Sequence, residues 1–146
     1  METNDLIWDI TEHCLAVRTL SAARAITRSY DTALRSVDLT ITQFTLLAAT
    51  ARMQPESISD LANRLSLERT SLSRNLKPLE AMGFIERFDE GTARRRGISI
   101  TPSGRSKLEE AYPYWQQAQR DTEVGLTMEF GEIDKVLSAL RGRELL

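Results

Sequence analysis

Positions 69 to 77 hold Arg69, Thr70, Ser71, Ser73, Arg74, Asn75 and Lys77, a dense run of guanidinium, hydroxyl, amide and ammonium groups. A second basic run, Arg94, Arg95 and Arg96, follows a short distance along the chain. These groups are mainly hydrogen-bond donors, and many are cationic, so they suit a polyanion whose edges carry acceptors. Arginine can pair bidentately with guanine and asparagine with adenine, while serine and threonine hydroxyls can donate to phosphates. An α-helix fits the major groove of duplex DNA, so a helix carrying the first run could present it to base edges. The second run has the charge to reach an adjacent minor groove or the backbone. The plain alternatives are a solvated helix face for the first run and a solubilising loop for the second.

Other chemistries find little material. The chain has one cysteine, Cys14, and one histidine, His13. That inventory excludes an intramolecular disulfide framework, a Cys-rich zinc site and a His-His metal motif, and no cofactor or metal is expected. A Ser-His-Asp hydrolase would depend on His13 alone, with no Gly-rich nucleophile loop beside it, so the chain is not expected to be an enzyme. The N-terminus, Met1-Glu2-Thr3-Asn4-Asp5, is acidic and polar, unlike a secretory signal. The longest stretch of low polarity, about 44–51, is far shorter than the ~20 residues of a spanning helix. The expected setting is soluble, reducing and cytoplasmic, with no membrane contact.

The elements that must position the basic runs follow from periodicity and caps. The length of 146 residues suits one domain of ordinary size, and 41% hydrophobic residues place it among globular chains rather than disordered ones. One long helix is predicted over 6–36, with Ile7, Ile10, Cys14, Val17 and Ser21 on one face and no Gly or Pro to interrupt it. Thr40 and Gln43 form a capping-box signature for a second helix holding Phe44, Leu46, Leu47, Ala48 and Ala51, which should be buried. Gln54 and Pro55 lie in its stop. A short third helix opens near Ser59, read as its N-cap, with Leu61, Ala62 and Leu65 facing inward. The fourth helix, 68–82, carries the first basic run, and its apolar stripe is Leu72, Leu76, Leu79 and Met82. Gly83 stops it. Two β-like runs, 84–88 and 97–101, flank the second basic run as a hairpin. Thr101-Pro102 starts a fifth helix to about Gly125, in which Pro113 predicts a kink. Thr127 reads as the cap of a sixth helix with Phe130, Ile133, Leu137 and Leu140 on its apolar face. The fold class is mainly α with a small β-hairpin wing: a winged helix-turn-helix plus a helical base.

At these residues the chain resembles a known family. Leu39-Thr40-x-x-Gln43-Phe44-x-Leu46-Leu47 is similar to the second-helix signature of the MarR family of transcriptional regulators. Leu61-Ala62-x-x-Leu65-x-Leu67-x-Arg69-Thr70-Ser71-Leu72-Ser73-Arg74 resembles its helix-turn-helix. Leu79-Glu80-x-x-Gly83-Phe84-Ile85-x-Arg87 is similar to its exit into the wing, and Ile100-Thr101-x-x-Gly104 to its wing-to-helix junction. The fragments occur in matching order over about 15–125.

The resemblance implies a homodimer: segments 1–36 and 104–146 interlace as a dimerisation base around a DNA-binding lobe over 37–103. It implies a repressor that binds a pseudo-palindromic operator in double-stranded DNA. Release by a small, commonly aromatic effector or by a stress signal is also implied. One departure is local. The family's wing holds an Asp two residues before an Arg, whereas the matching positions here are Thr92 and Arg94, so that orienting ion pair is missing. Phe44 and Trp115 are the candidate effector-pocket residues, among aromatics (Trp8, Tyr112 and Tyr114 included) that otherwise read as core or interface. Cys14 is the candidate redox residue because one peroxide-sensing branch has its reactive cysteine in the first helix. Its register differs by about two residues, and its place on the apolar stripe favours packing, where burial makes a thiol inert.

Two alternatives stand beside the DNA reading. A winged-helix adaptor could use the basic middle to bind an acidic partner, though such a surface would carry exposed apolar residues. The hydrolase fails on inventory. Net charge is −2, which taken alone speaks against nucleic acid. Resolved along the chain it is −3 over 1–63, +4 over 64–105 and −3 over 106–146, so both basic runs lie in the one positive segment.

Overall fold

The computed structural model describes residues 1–88 and 97–144, with side chains through Gly142. The chain order is α1 (Thr3–His13), α2 (Leu15–Leu34), a 3-10 turn (Arg35–Val37), α3 (Ile41–Met53), α4 (Ile58–Leu65), α5 (Arg69–Ala81), β1 (Ile85–Phe88), β2 (Gly97–Ile100), α6 (Pro102–Leu126) and α7 (Phe130–Glu144). The mainly helical architecture with one two-stranded antiparallel hairpin is the expected class.

α3 is the centre of the lobe. Its capping box is complete: Thr40 Oγ1 accepts from the Gln43 N–H at 3.1 Å, and Gln43 Oε1 accepts from the Thr40 N–H at 3.0 Å. Phe44, Leu46 and Leu47 are buried as expected, whereas Ala48 is exposed and Ala51 half-buried, because one side of the helix lines an open cleft. The three buried residues join Leu34, Leu61, Leu72, Leu76, Leu79, Ile85, Ile98 and Ala111 in one cluster that draws on every element from α2 to α6. Two polar ties fix α2 to its neighbours. Asp31 Oδ1 accepts from the Ile41 N–H at 2.8 Å, and the Tyr30 hydroxyl donates to Gln119 Oε1 at 2.6 Å.

The hairpin pairs Ile85 with Ile100, Arg87 with Ile98 and Phe88 with Gly97. Gly83 turns the chain into it with φ of 75°. Thr101 closes it: its hydroxyl donates to the Gly83 carbonyl at 2.6 Å and accepts from the Gly104 N–H at 3.0 Å. It thereby joins both ends of the hairpin to the start of α6. Pro102 sits at the first position of that helix, as expected.

Three boundary expectations are corrected. The predicted single helix over 6–36 is two helices, because Cys14 is extended (φ −69°, ψ 106°). The free carbonyl of Glu12 at the break accepts instead from the guanidinium of Arg18, through Nε at 2.9 Å and through Nη2. Ser57, not Ser59, caps α4, its Oγ accepting from the Asp60 N–H at 3.0 Å. That start puts Ile58, Leu61, Ala62 and Leu65 on one inward stripe. Thr127 does not open the last helix. It closes α6 in the left-handed region (φ 52°), and its N–H and that of Met128 return to carbonyls of the last turn.

Candidate nucleic-acid interface

α4 and α5 are joined by Ser66, Leu67 and Glu68. Ser66 adopts φ of 53°, and the Leu67 N–H returns to the Ala62 carbonyl at 2.9 Å, so the chain reverses within three residues. α5 then turns Leu72, Leu76 and Leu79 wholly into the core. At the 3.6-residue period this forces the polar residues onto the opposite face. There Arg69, Thr70, Ser73, Arg74 and Lys77 line one open groove of about 450 Å³. Among the described residues, none of Arg69, Arg74 and Lys77 has an ion pair. The groove therefore offers positive charge without a described ion-pair partner, from Arg69 and Arg74 in the first half of the helix and Lys77 just beyond it.

The other two residues of the first run lie elsewhere. Ser71 is exposed but off the groove. Asn75 Nδ2 donates to the Ser71 carbonyl of its own helix at 2.9 Å, which uses one of the two N–H groups of the amide that the sequence offered to adenine. Arg94, Arg95 and Arg96, with Thr92, lie outside the described residues. The hairpin that carries them is braced against α5: Arg87 Nε lies 2.8 Å from Glu80 Oε2, close enough for an ion pair though not aligned as a hydrogen bond.

A second feature lies on the far side of α3. Phe44 and Trp115 come together, their rings 6.1 Å apart and 29° from parallel. Tyr112 stacks on the same indole at 5.6 Å and 24°. These rings wall an open cleft of about 480 Å³, which Thr45, Ala48, Ala49, Arg52, Met53 and Leu108 complete. Arg52 is the one charged residue in the lining, and the sequence reading does not single it out. The signal is present all the same: Phe44, Ala48 and Arg52 are four apart, and Leu108, Tyr112 and Trp115 are four and three apart. Trp8 is remote from this cleft, edge-on to His13 at 5.0 Å on α1. The His13 ring also contacts Asp9 Oδ1 at 2.8 Å.

Cys14 is not packed in the core of this chain. It is half-buried at the α1–α2 break, and Ile7, Ile10 and Val17, the neighbours of its expected apolar stripe, are 55–62% exposed. The reason is that, among the described residues, α1 contributes no buried residue and the first turns of α2 are exposed on every side. No helix among the described residues is long and apolar enough to cross a membrane.

Comparison with known proteins agrees with this geometry. Residues 37–96 match the family model described as the MarR family. The M. tuberculosis transcriptional regulator MosR, solved in complex with DNA, superposes with a TM-score of 0.76 at 31% identity, covering 91% of this chain and 98% of that one. A second crystal structure of MosR gives a TM-score of 0.78 at 29% identity, covering 92% and 98%. An uncharacterised HTH-type transcriptional regulator of Bacillus cereus is 34% identical over 80 residues, which is 55% of this chain. The match spans about half the length of that relative, 53%. These relatives are transcriptional regulators rather than enzymes. The chain belongs to the MarR family of winged helix-turn-helix transcriptional regulators.

Proposed function

We propose that this protein is a homodimeric, sequence-specific DNA-binding repressor that reads a pseudo-palindromic operator and is released by a small aromatic effector. The observation that carries the DNA reading is the α5 groove. Arg69, Arg74 and Lys77 stand there without ion pairs among the described residues, beside hydroxyls that can donate to phosphates. In this reading Arg74 and Ser73 approach base edges, while Arg69, Thr70 and Lys77 hold the backbone. Ser71 and Asn75 serve the helix surface, and Arg94 to Arg96 supply the wing's charge.

The dimer reading is supported by the apolar side chains left uncovered at the two ends of the chain. On α1 and α2 these include Leu6, Ile7, Trp8, Ile10 and Leu20; near the C-terminus they include Val124, Phe130, Val136 and Leu137. Soluble monomers rarely expose so much contiguous apolar surface, and a second copy of the same helices would bury it. Both ends are also net acidic, which leaves the positive segment free for DNA.

The effector reading is supported by the shape and chemistry of the Phe44–Trp115 cleft. It has an apolar, aromatic-walled body and a single cation, Arg52, in its lining.

Selection from a randomised duplex library tests the DNA claim. Wild type should enrich one inverted repeat, and Arg74→Ala should lose that preference; enrichment of no sequence by wild type contradicts the reading. For the effector, a Trp8→Phe variant leaves Trp115 as the only indole. Benzoate and phenol as probes should then change its fluorescence saturably. Fluorescence indifferent to both would remove the cleft from the proposal.

A further inference from the structure

The loop between α3 and α4 is held by one ion pair, and the same loop holds the wing. α3 ends at Met53, with Gln54 in the left-handed region at φ 46°. The last carbonyls of a helix lack partners within it. That of Met53 accepts from Arg64 Nη1 at 3.0 Å. Arg64 Nε also donates to Asp60 Oδ1 at 3.0 Å, and Asp60 Oδ2 accepts from the Glu56 N–H at 3.0 Å. Two side chains of α4 thus hold the loop on both sides of Pro55.

Pro55 is fully buried, and its carbonyl accepts from the Ile98 N–H of β2 at 3.0 Å. The neighbouring Gly97 has φ of 121°, and a Cβ built there would lie 2.2 Å from the Pro55 oxygen. Only glycine permits that approach. Besides the buried Ile85 and Ile98 and the Thr101 junction, two polar contacts tie the hairpin to the rest of the lobe: β1 to α5 through Arg87 and Glu80, and β2 to the Pro55 carbonyl.

We infer that Asp60 and Arg64 are positioning residues for DNA binding, fixing the Pro55 carbonyl and through it the placement of β2 relative to α5. The inference rests on the DNA-binding reading above. The pair is partly exposed, with side chains 46% accessible for Arg64 and 27% for Asp60, so its contribution to global stability is small. Its contribution to geometry is larger, because a site displaced by about 1 Å loses much of its function.

The test measures binding of a duplex selected by wild type from a randomised library, as a function of salt, for Asp60→Ala, Arg64→Ala and the double variant. Positioning predicts that each single variant loses roughly three- to tenfold in affinity, in line with a lost charge-assisted hydrogen bond that is partly solvated. The double variant should lose less than the sum of the two single losses, because the substitutions share the Asp60–Arg64 contact while each leaves the other's bond to the loop. The salt slope should stay at the wild-type value. Hydroxyl-radical protection should fade at the outer flanks of the duplex and persist over the bases facing α5.

A direct phosphate contact by Arg64 predicts otherwise. Arg64→Ala would then lower the slope by about 0.9, and Asp60→Ala, which removes a negative charge, would tighten binding. Either result overturns the inference, as does a single variant that binds like wild type, or protection lost evenly along the duplex. Thermal melting identifies a variant that has failed to fold; Asp60→Asn and Arg64→Gln then take its place under the same criteria. If wild type selects no duplex, the DNA-binding reading fails as well. If wild type selects one and the variants behave like it, only the clamp fails.

Discussion

Gly104 shows how tightly single residues are constrained at the wing's base. A Cβ there would fall 2.2 Å from the Phe84 carbonyl oxygen and 2.7 Å from Ile100 Cγ1. The backbone of α6 touches the hairpin exit at this point, and the Thr101 hydroxyl bonds the Gly104 N–H beneath it. Gly104→Ala should therefore destabilise the fold by about 1–3 kcal/mol, the usual cost of overpacking a filled site, read as a lower urea midpoint. An unchanged midpoint would mean that the junction can open without cost. Thr40 is a milder case. Its hydroxyl satisfies one orphan N–H of α3, so Thr40→Ala should cost about 1 kcal/mol in the same measurement. At this scale the sequence is most informative where partners are close along the chain. Thr40 with Gln43, and Thr101 with Gly104, are three residues apart and can be read directly. Arg52 escapes such a reading because a lone cation on a helix resembles solvent-facing charge until Tyr112 and Trp115 arrive opposite it from α6. Asn75 shows what the sequence cannot give, because one N–H of its amide is bonded to the Ser71 carbonyl of its own helix.

At the scale of elements, α5 and the hairpin explain why order and spacing were enough to bring most of the first basic run onto one outward face. Leu72, Leu76 and Leu79 must face the core, and that alone orients Arg69, Ser73 and Arg74 outward. The hairpin was legible from its β-rich runs and the turn residues around them, and the strands differ from expectation by a residue at each outer end. The break at Cys14 was not legible. No Gly or Pro marks it, and the group that satisfies the broken backbone, Arg18, lies six residues from Glu12 in the chain. The exchange of Ser59 for Ser57 had a related cause. Both serines can cap, and the choice is made by which start buries Ile58 with Leu61 and Leu65. The ion pair between Arg87 and Glu80 gives a prediction at this level. Glu80→Ala removes the ion pair that braces the hairpin on α5 without touching the groove, so operator affinity should fall several-fold while the sequence preference expected of α5 persists. A variant with altered sequence preference would place Glu80 in base readout instead.

At the scale of the molecule, the acidic average conceals a division of labour. The ends are acidic and present unpaired apolar faces, while the middle is basic and carries the groove. If a second copy covers those faces, Ile10→Asp or Leu137→Asp should weaken self-association by roughly tenfold or more, since a buried unpaired charge is costly at an interface. Both residues are at least half-exposed in the protomer, so the lobe should remain folded. Sedimentation checks this; dimers undisturbed by both substitutions would place the interface elsewhere. A dimer presents two α5 helices about one DNA turn apart, roughly 34–36 Å in the usual helix-turn-helix geometry. The most direct test of the DNA-binding groove is a salt titration of a selected duplex by fluorescence anisotropy, comparing wild type with Arg74→Ala. Wild type should bind with two chains per duplex and with log affinity falling linearly with log salt. Arg74→Ala should bind more weakly and lose its sequence preference, with a slope smaller by up to about 0.9 where Arg74 also meets a phosphate. Equal affinity, equal slope and equal sequence preference for the two proteins would contradict a DNA-reading role for the α5 groove.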